Sequence, residues 1–413
     1  MRHLPTKALL GLVCSLGAIA TVRAQDPKPK LFSFGAFATA GVVHSTERQA
    51  TFTSNPFKPN GAGFPNAWSA STDTVLGAQL TARVTRKLSA VVQLVSEQNH
   101  DGGYRPRVEW ANVAFLLTPD LTIRAGRIVL PAFLMSESGK VGYSYPWVRP
   151  PADVYLMVPI SKSDGLDVTY RLNRREWTTT LQATVGRSDV RLIGDGGSAK
   201  ARDFWGLAAI SEHGALTTRL SYRRADIFIA SLNSLFDGFR QFGAEGQAIA
   251  DRYDVNHKTF STVIAGASYD PGRFFVTSEW GRVAARSVQG RKNAWYVSGG
   301  YRIGPVTPYM IYAQARADNL SDPGLTLSSL PASVAGAAAG LNAALNSVLS
   351  IKPVQNTVSL GGRWDFSTKA ALKVQMDHSD LGAGSSGLFS NLQPSYRTGG
   401  SVNLLTATLS VVF

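Results

Sequence analysis

Thr72–Val84, TDTVLGAQLTARV, decides the fold. Thr72, Thr74, Leu76, Ala78, Leu80, Ala82 and Val84 fall on one face, and Asp73, Gln79, Thr81 and Arg83 on the other. A period of two is that of a strand, whose successive side chains point to opposite faces. The pattern recurs in Leu88–Glu97, Leu216–Arg223 and Ala370–Asp377. In the last, Leu372, Val374 and Met376 oppose Lys373, Gln375 and Asp377. In each, one face is apolar and the other wet.

Outward from these segments the same reading gives strands at 31–43, 71–84, 88–97, 106–118, 120–129, 164–172, 176–187, 202–211, 215–225, 260–270, 273–285, 293–303, 305–315, 354–366, 370–379 and 401–413. Their connections alternate between very short and long. Thr118-Pro119-Asp120, Asn173-Arg174-Arg175, Asp270-Pro271-Gly272 and Gly304-Pro305 carry the residues that tight turns need. Long segments near 44–70, 98–105, 130–163, 188–201, 226–259, 286–292, 316–353 and 380–400 join the strands at the other end. Ten residues at about 3.3 Å each, tilted about 40°, reach roughly 25 Å, the apolar height of a bilayer-spanning barrel. An even strand count, short turns at one end and long loops at the other predict an all-β, transmembrane, antiparallel up-and-down barrel. It must close, because lipid offers no partner to the amides of an edge strand.

Composition supports export. Arg2 and Lys7 precede an apolar run, Ala8–Ala20, and Val22-Arg23-Ala24 offers small residues for cleavage, so residues 1–24 read as a signal peptide and 25–413 as one barrel domain. The apolar run is too short to span about 30 Å of hydrocarbon as a helix. Cys14, the single cysteine, lies in that leader. Removing it excludes disulfides, thiolate metal sites and cysteine nucleophiles from the mature chain. Formal charge is +14, and losing Arg2, Lys7 and Arg23 leaves 39 basic against 28 acidic residues, +11. A basic excess on an exported chain points to anionic solutes or surfaces and not to nucleic acid.

Two stretches resemble a known family. Leu405, Ala407, Leu409, Val411 and Phe413 alternate as an apolar face, and Phe413 is the last residue of the sequence. This resembles the terminal signal by which Gram-negative barrels are recognised by the barrel-assembly machinery, although many members carry another aromatic where Val411 stands. LTIRAGRIVLPAFLMSESGKVGYSYPWVRPP, Leu121–Pro151, looks like the fifth strand, Gly-Arg pair and long third loop of Gram-negative outer-membrane porins of the 16-stranded general-diffusion type. The resemblance implies a third loop folded into the lumen, with its charges facing charges on the wall. It also implies a homotrimer in outer-membrane lipid. Gly126 and Arg127 match the Gly-Arg pair. Glu137, Lys140, Arg149 and Asp153 are the loop charges expected at the constriction.

Parity adds wall residues. Opposite the lipid-facing side lie Arg83, Arg107, Arg124, Arg171, Arg219, Arg223, Arg302, Arg363 and Lys373, against Asp73, Glu97, Glu109, Asp167, Glu279, Asp365 and Asp377. Of these, Arg124, Arg219 and Arg223 stand far enough from the short turns to reach a waist, where opposed charges sort ions. Phe32, Phe34, Trp177, Phe204, Trp280, Trp295, Tyr301, Tyr309 and Trp364 lie near strand ends, where rings suit a headgroup layer. The alanine-rich segment from Leu330 to Leu349 predicts a helix in the seventh loop.

The expected function is a water-filled channel for passive diffusion of small hydrophilic solutes, with an anion preference, no chemistry, no cofactor and no metal. The histidines show no metal-ligand spacing. A substrate-specific channel, a barrel-mounted adhesin or scaffold, and a membrane-embedded hydrolase are the competing readings. Asp377, His378 and Ser379 are neighbours, but adjacent strand residues face opposite ways, which argues against a catalytic trio.

Overall fold

A computed structural model describes residues 31–413 apart from 195, 257 and 319; the leader at 1–24 lies outside the described residues. Sixteen long strands form the wall: β1 Phe32–Ser45, β2 Val75–Arg83, β3 Leu88–Glu97, β4 Arg107–Thr118, β5 Leu121–Val129, β6 Lys162–Arg174, β7 Trp177–Arg191, β8 Ser198–His213, β9 Leu216–Ile229, β10 Lys258–Tyr269, β11 Phe274–Ala285, β12 Arg291–Tyr301, β13 Val306–Ala317, β14 Gln355–Ser367, β15 Ala370–Leu381 and β16 Gly400–Val412. Each pairs antiparallel with its neighbours in sequence. The barrel closes where β1 meets β16, with Ala38 opposite Val411 and Ala40 opposite Leu409. One extra short strand, Trp68–Ser69, adds to β1 at its loop end.

The alternation read in the sequence sorts the side chains as expected. On β2, Leu76 and Leu80 are exposed on the outside; so are Leu220, Leu360 and Met376 on distant strands. An apolar band around a whole barrel far exceeds what a water-soluble surface tolerates. Its solvent is lipid.

Three expectations change. The fourth loop shrinks to 192–197, because Ser188–Arg191 and Ser198–Ala201 continue the ladder. Their polar composition resembles a loop because this hairpin carries few of the alternating apolar residues that mark a spanning strand. Phe204 and Tyr309 face inward and are buried, unlike Phe34, Trp280 and Trp364 of that group, which stay exposed. The inner face is not polar throughout. Ile264, Phe275, Val283, Tyr296, Tyr309 and Ile311 on β10–β13 form an apolar wall. Its partner is the third loop, a non-local element that strand periodicity cannot reveal.

The loop ends carry further structure. Helices α2 (Asn233–Arg240) and α3 (Gly243–Tyr253) of the fifth loop pack on α4 (Ala332–Ser350) of the seventh. α1 (Ala152–Tyr155) lies in the third loop. Short strands Thr51–Phe52, Ala62–Gly63 and Phe389–Ser390 tie the first loop to the eighth.

Candidate functional site

Residues 130–161 leave β5 and turn into the barrel. Ser136 shapes the entry: its Oγ accepts from the backbone N–H groups of Ala132 (2.9 Å) and Phe133 (2.8 Å). Phe133, Trp147, Val154 and Met157 then bury themselves against the apolar wall of β10–β13. Burying one such side chain is worth about 1.5–3 kcal/mol, so the loop is part of the core.

Polar contacts fix its course. Glu279 of β11, 1% exposed, accepts from Leu134 N (2.6 Å), Tyr155 OH (2.6 Å) and Tyr296 OH (2.9 Å). Trp147 Nε1 donates to Ser298 Oγ at 2.7 Å. At the apex, Lys373 of β15 donates to the carbonyls of Gly142, Tyr145 (2.8 Å) and Trp147 (2.7 Å). Arg363 of β14 donates to those of Tyr143 (2.8 Å) and Tyr145 (2.9 Å). Gly142 is required at that apex. A Cβ there would sit 2.4 Å from Thr39 Oγ1 and 2.8 Å from Ser410 Oγ, on the two strands of the closing seam.

The expected constriction residues divide three ways. Glu137 meets Arg219 at 3.3 Å, and Lys140 meets Glu97, which also binds Lys58 of the first loop at 3.1 Å. Burial would lower the Lys140 ammonium, but Glu97 outweighs it and holds the group above its ordinary value. These loop charges keep partial exposure inside the barrel, 27% for the side chains of both Glu137 and Lys140. Arg149 and Asp153 are instead buried between loop and wall. Arg149 forms a fork on Asp73 (2.9 and 2.6 Å), reaches Asp377 at 3.3 Å and Thr406 Oγ1 at 2.8 Å, and lies over the Phe52 ring.

Arg127 is a correction. Its side chain lies on the outward face, with Ala125 and Ile123, and pairs there with Asp164 at 2.7 Å. Arg124 and Arg127 are three residues apart, an odd step that puts them on opposite faces of one strand. Arg124 points inward but is neutralised by Asp167 at 2.6 Å, and that carboxylate also receives Gln182 and Thr184. Arg223 differs. It is 4% exposed, has no ion pair among the described residues, and its Nε is left without an acceptor, as are Arg219 Nε and Nη2.

Asp153 carries a pH dependence. It accepts from Gln355 Nε2 (2.9 Å) and Thr357 Oγ1 (3.1 Å), yet burial outweighs these bonds and pushes its carboxyl up to about 6 from 3.8. A raised acid means that the docked loop binds the proton more tightly than a released one. The stabilisation is complete below about 4 and is lost as pH rises through about 6. Hydrogen exchange at 152–157, corrected for intrinsic rate, should be roughly tenfold slower at pH 5 than at pH 7. In Asp153→Asn that difference should vanish; a wild-type profile flat in pH would refute the assignment.

The residues at the end of the sequence occupy the outward face of β16, with Leu405, Leu409 and Phe413 exposed and Ala407 and Val411 half-buried. Asp377 and Ser379 face inward, whereas His378 bonds Asn403 on the outside. Among the described residues no group of three or more His, Cys, Asp or Glu side chains is placed to hold a metal ion. Sequence reasoning missed Lys58 and Asn55, which lie in a long loop without periodicity. Asn55 Nδ2 donates to Pro159 O at 3.2 Å, joining the first loop to the third.

No family model and no curated protein matches the sequence. Solved structures do match the fold. The anion-selective porin of Comamonas acidovorans superposes with a TM-score of 0.55 at 12% identity, over 92% of this chain and 99% of that one. OmpF of Salmonella typhi, in complex with daunomycin, gives 0.54 at 12% identity, over 92% and 97%. The outer-membrane channel DcaP of Acinetobacter baumannii gives 0.52 at 11%, over 92% and 97%. With sixteen strands closed on themselves, short turns at one end and a third loop folded inward, this chain has the fold of the bacterial outer-membrane porins.

Proposed function

We propose that this chain is a channel in the outer membrane of a Gram-negative bacterium, through which small hydrophilic solutes diffuse passively, with a preference for anions. The observation that carries the reading is the third loop, docked across the interior by groups from the wall and presenting Glu137 and Lys140 beside Arg219 and Glu97. Opposed charges at a narrow waist order water and sort ions without any reaction. Arg223, with no ion pair among the described residues, supports the anion preference, as does the overall charge. Insertion by the barrel-assembly machinery through the strand ending at Phe413, and assembly as a homotrimer, belong to the same reading.

Planar-bilayer recording of the purified protein tests it. Open-channel steps with a reversal potential favouring anions are expected. A fixed cation on the inner wall attracts anions and repels cations, so removing its charge acts on both ions at once. Arg223→Gln should therefore lower the anion-to-cation permeability ratio severalfold. A silent barrel would overturn the channel, and an unmoved ratio the role of Arg223. A substrate-specific channel is the second reading, favoured by the first loop bonding the third through Asn55 and by Lys58 sharing Glu97 with Lys140. Conductance blocked by one solute class alone would support it.

A further inference from the structure

The outer surface of β9–β13 combines two features at one height. Tyr222, Trp280, Trp295 and Tyr312 all face outward; Trp280 lies directly opposite Trp295, and the Trp295 ring lies 5.5 Å from that of Tyr312. Outward aromatics of this kind mark the boundary between hydrocarbon and headgroups. On the loop side of them stands a set of exposed arginines. Arg224 follows Tyr222 by two residues, Arg282 follows Trp280 by two, Arg316 follows Tyr312 by four, and Arg291 precedes Trp295 by four on a strand running the other way.

Register makes them a patch. Arg282 pairs with Asn293, which pairs with Arg316, so the two arginines share one cross-strand row. In the adjacent row Arg291, Ala284, Ser261 and Arg224 are successive partners. At about 4.8 Å between strands, each row holds its arginines roughly 10–15 Å apart. Two acids lie close by: Asp318 pairs with Arg291 at 2.9 Å, and Asp226 accepts from Thr259. Arg224, Arg282 and Arg316 make no ion pair among the described residues; Arg224 reaches Thr259, and Arg316 reaches Asn356 and two carbonyls. Arginines facing lipid would be costly at mid-membrane. Just beyond an aromatic girdle they meet headgroups, and a guanidinium fork matches a phosphate in geometry and charge.

We propose that this face of β9–β13 is a binding site for lipid headgroups of the outer leaflet that bear phosphate and a net negative charge, held by Arg224, Arg282, Arg291 and Arg316. The site rests on the barrel spanning a membrane and is independent of what the lumen conducts. Each basic side chain near an anionic membrane surface contributes about 1 kcal/mol, or about fivefold in affinity.

Native mass spectrometry of the full chain in a non-ionic detergent, titrated with phosphatidylglycerol and separately with phosphatidylcholine, tests it. The variant Arg224→Gln/Arg282→Gln/Arg316→Gln should bind phosphatidylglycerol tenfold or more weakly, given about fivefold per arginine. Phosphatidylcholine binding, bilayer conductance and the gel shift of the folded barrel should stay as in wild type. Equal retention of phosphatidylglycerol by both proteins would overturn the proposal. So would inorganic phosphate binding as tightly as the lipid, which would mark a free-anion site. Should the triple variant not fold, Arg282→Gln takes its place, with about fivefold loss expected. Lost conductance with lipid binding intact would count against the channel alone.

Discussion

Replacing Lys373 by Met will release the apex of the third loop while the wall stays intact. Lys373 is 0% exposed, and its ammonium has no carboxylate partner among the described ion pairs; its bonds go to the carbonyls of Gly142, Tyr145 and Trp147, and it lies 4.6 Å from the centre of the Tyr145 ring. Met fills the same slot with no donor. The Tyr145 carbonyl keeps Arg363, but those of Gly142 and Trp147 lose the lysine. A buried acceptor stripped of its partner costs about 1–3 kcal/mol. Two of them come to about 3 kcal/mol, so opening of the loop should rise roughly 10²-fold. The ladders that join β15 to β14 and β16 are backbone bonds and survive the change. Exchange and protease cleavage at 139–148 should rise, and the open-channel current with them. Lys373→Arg keeps a donor and should stay near wild type. Unchanged protection of the apex in Lys373→Met would refute the latch.

The barrel was legible because each strand states its own orientation. In Thr72–Val84 alternation alone separates Leu76 and Leu80, outside, from Gln79 and Thr81, and no partner is needed to read it. The same parity would have placed Arg127 outside had it been applied to the Gly-Arg pair instead of carrying the resemblance over. Loop charges are another matter. Glu137, Lys140, Arg149 and Asp153 are close in sequence, yet two keep some contact with the lumen and two are buried, because their partners come from β3, β9, β14, β15 and the first loop. The apolar wall of β10–β13 illustrates the same limit. Ile264 and Tyr296 face inward by parity, but only the docked third loop explains why an inward face is apolar.

Arg149 should have the larger effect on both stability and selectivity, because it compensates two buried carboxylates at once. The side chains of Asp73 and Asp377 are 5% and 7% exposed, and Arg149 neutralises both while its fork grips Asp73. Burial alone would lower the guanidinium, but Asp73 and Asp377 outweigh it and hold it above its ordinary value. Arg149→Met removes the cation and leaves the acids, and breaking a buried pair in this way costs about 3–5 kcal/mol. The folded barrel should lose its gel shift at a lower temperature. With two carboxylates uncompensated inside the lumen, the reversal potential should also move towards cations. Two further variants separate charge from geometry. Arg149→Met with Asp73→Asn and Asp377→Asn removes the stranded charges and should recover most of the stability, as coupled neighbours do in a mutant cycle. Arg149→Lys keeps the charge but not the fork, so it should hold wild-type selectivity while melting earlier. If Arg149→Lys and Arg149→Met shifted the reversal potential equally, the charge of Arg149 would have no part in selectivity, and its role would be confined to joining the third loop to the first loop and to β15.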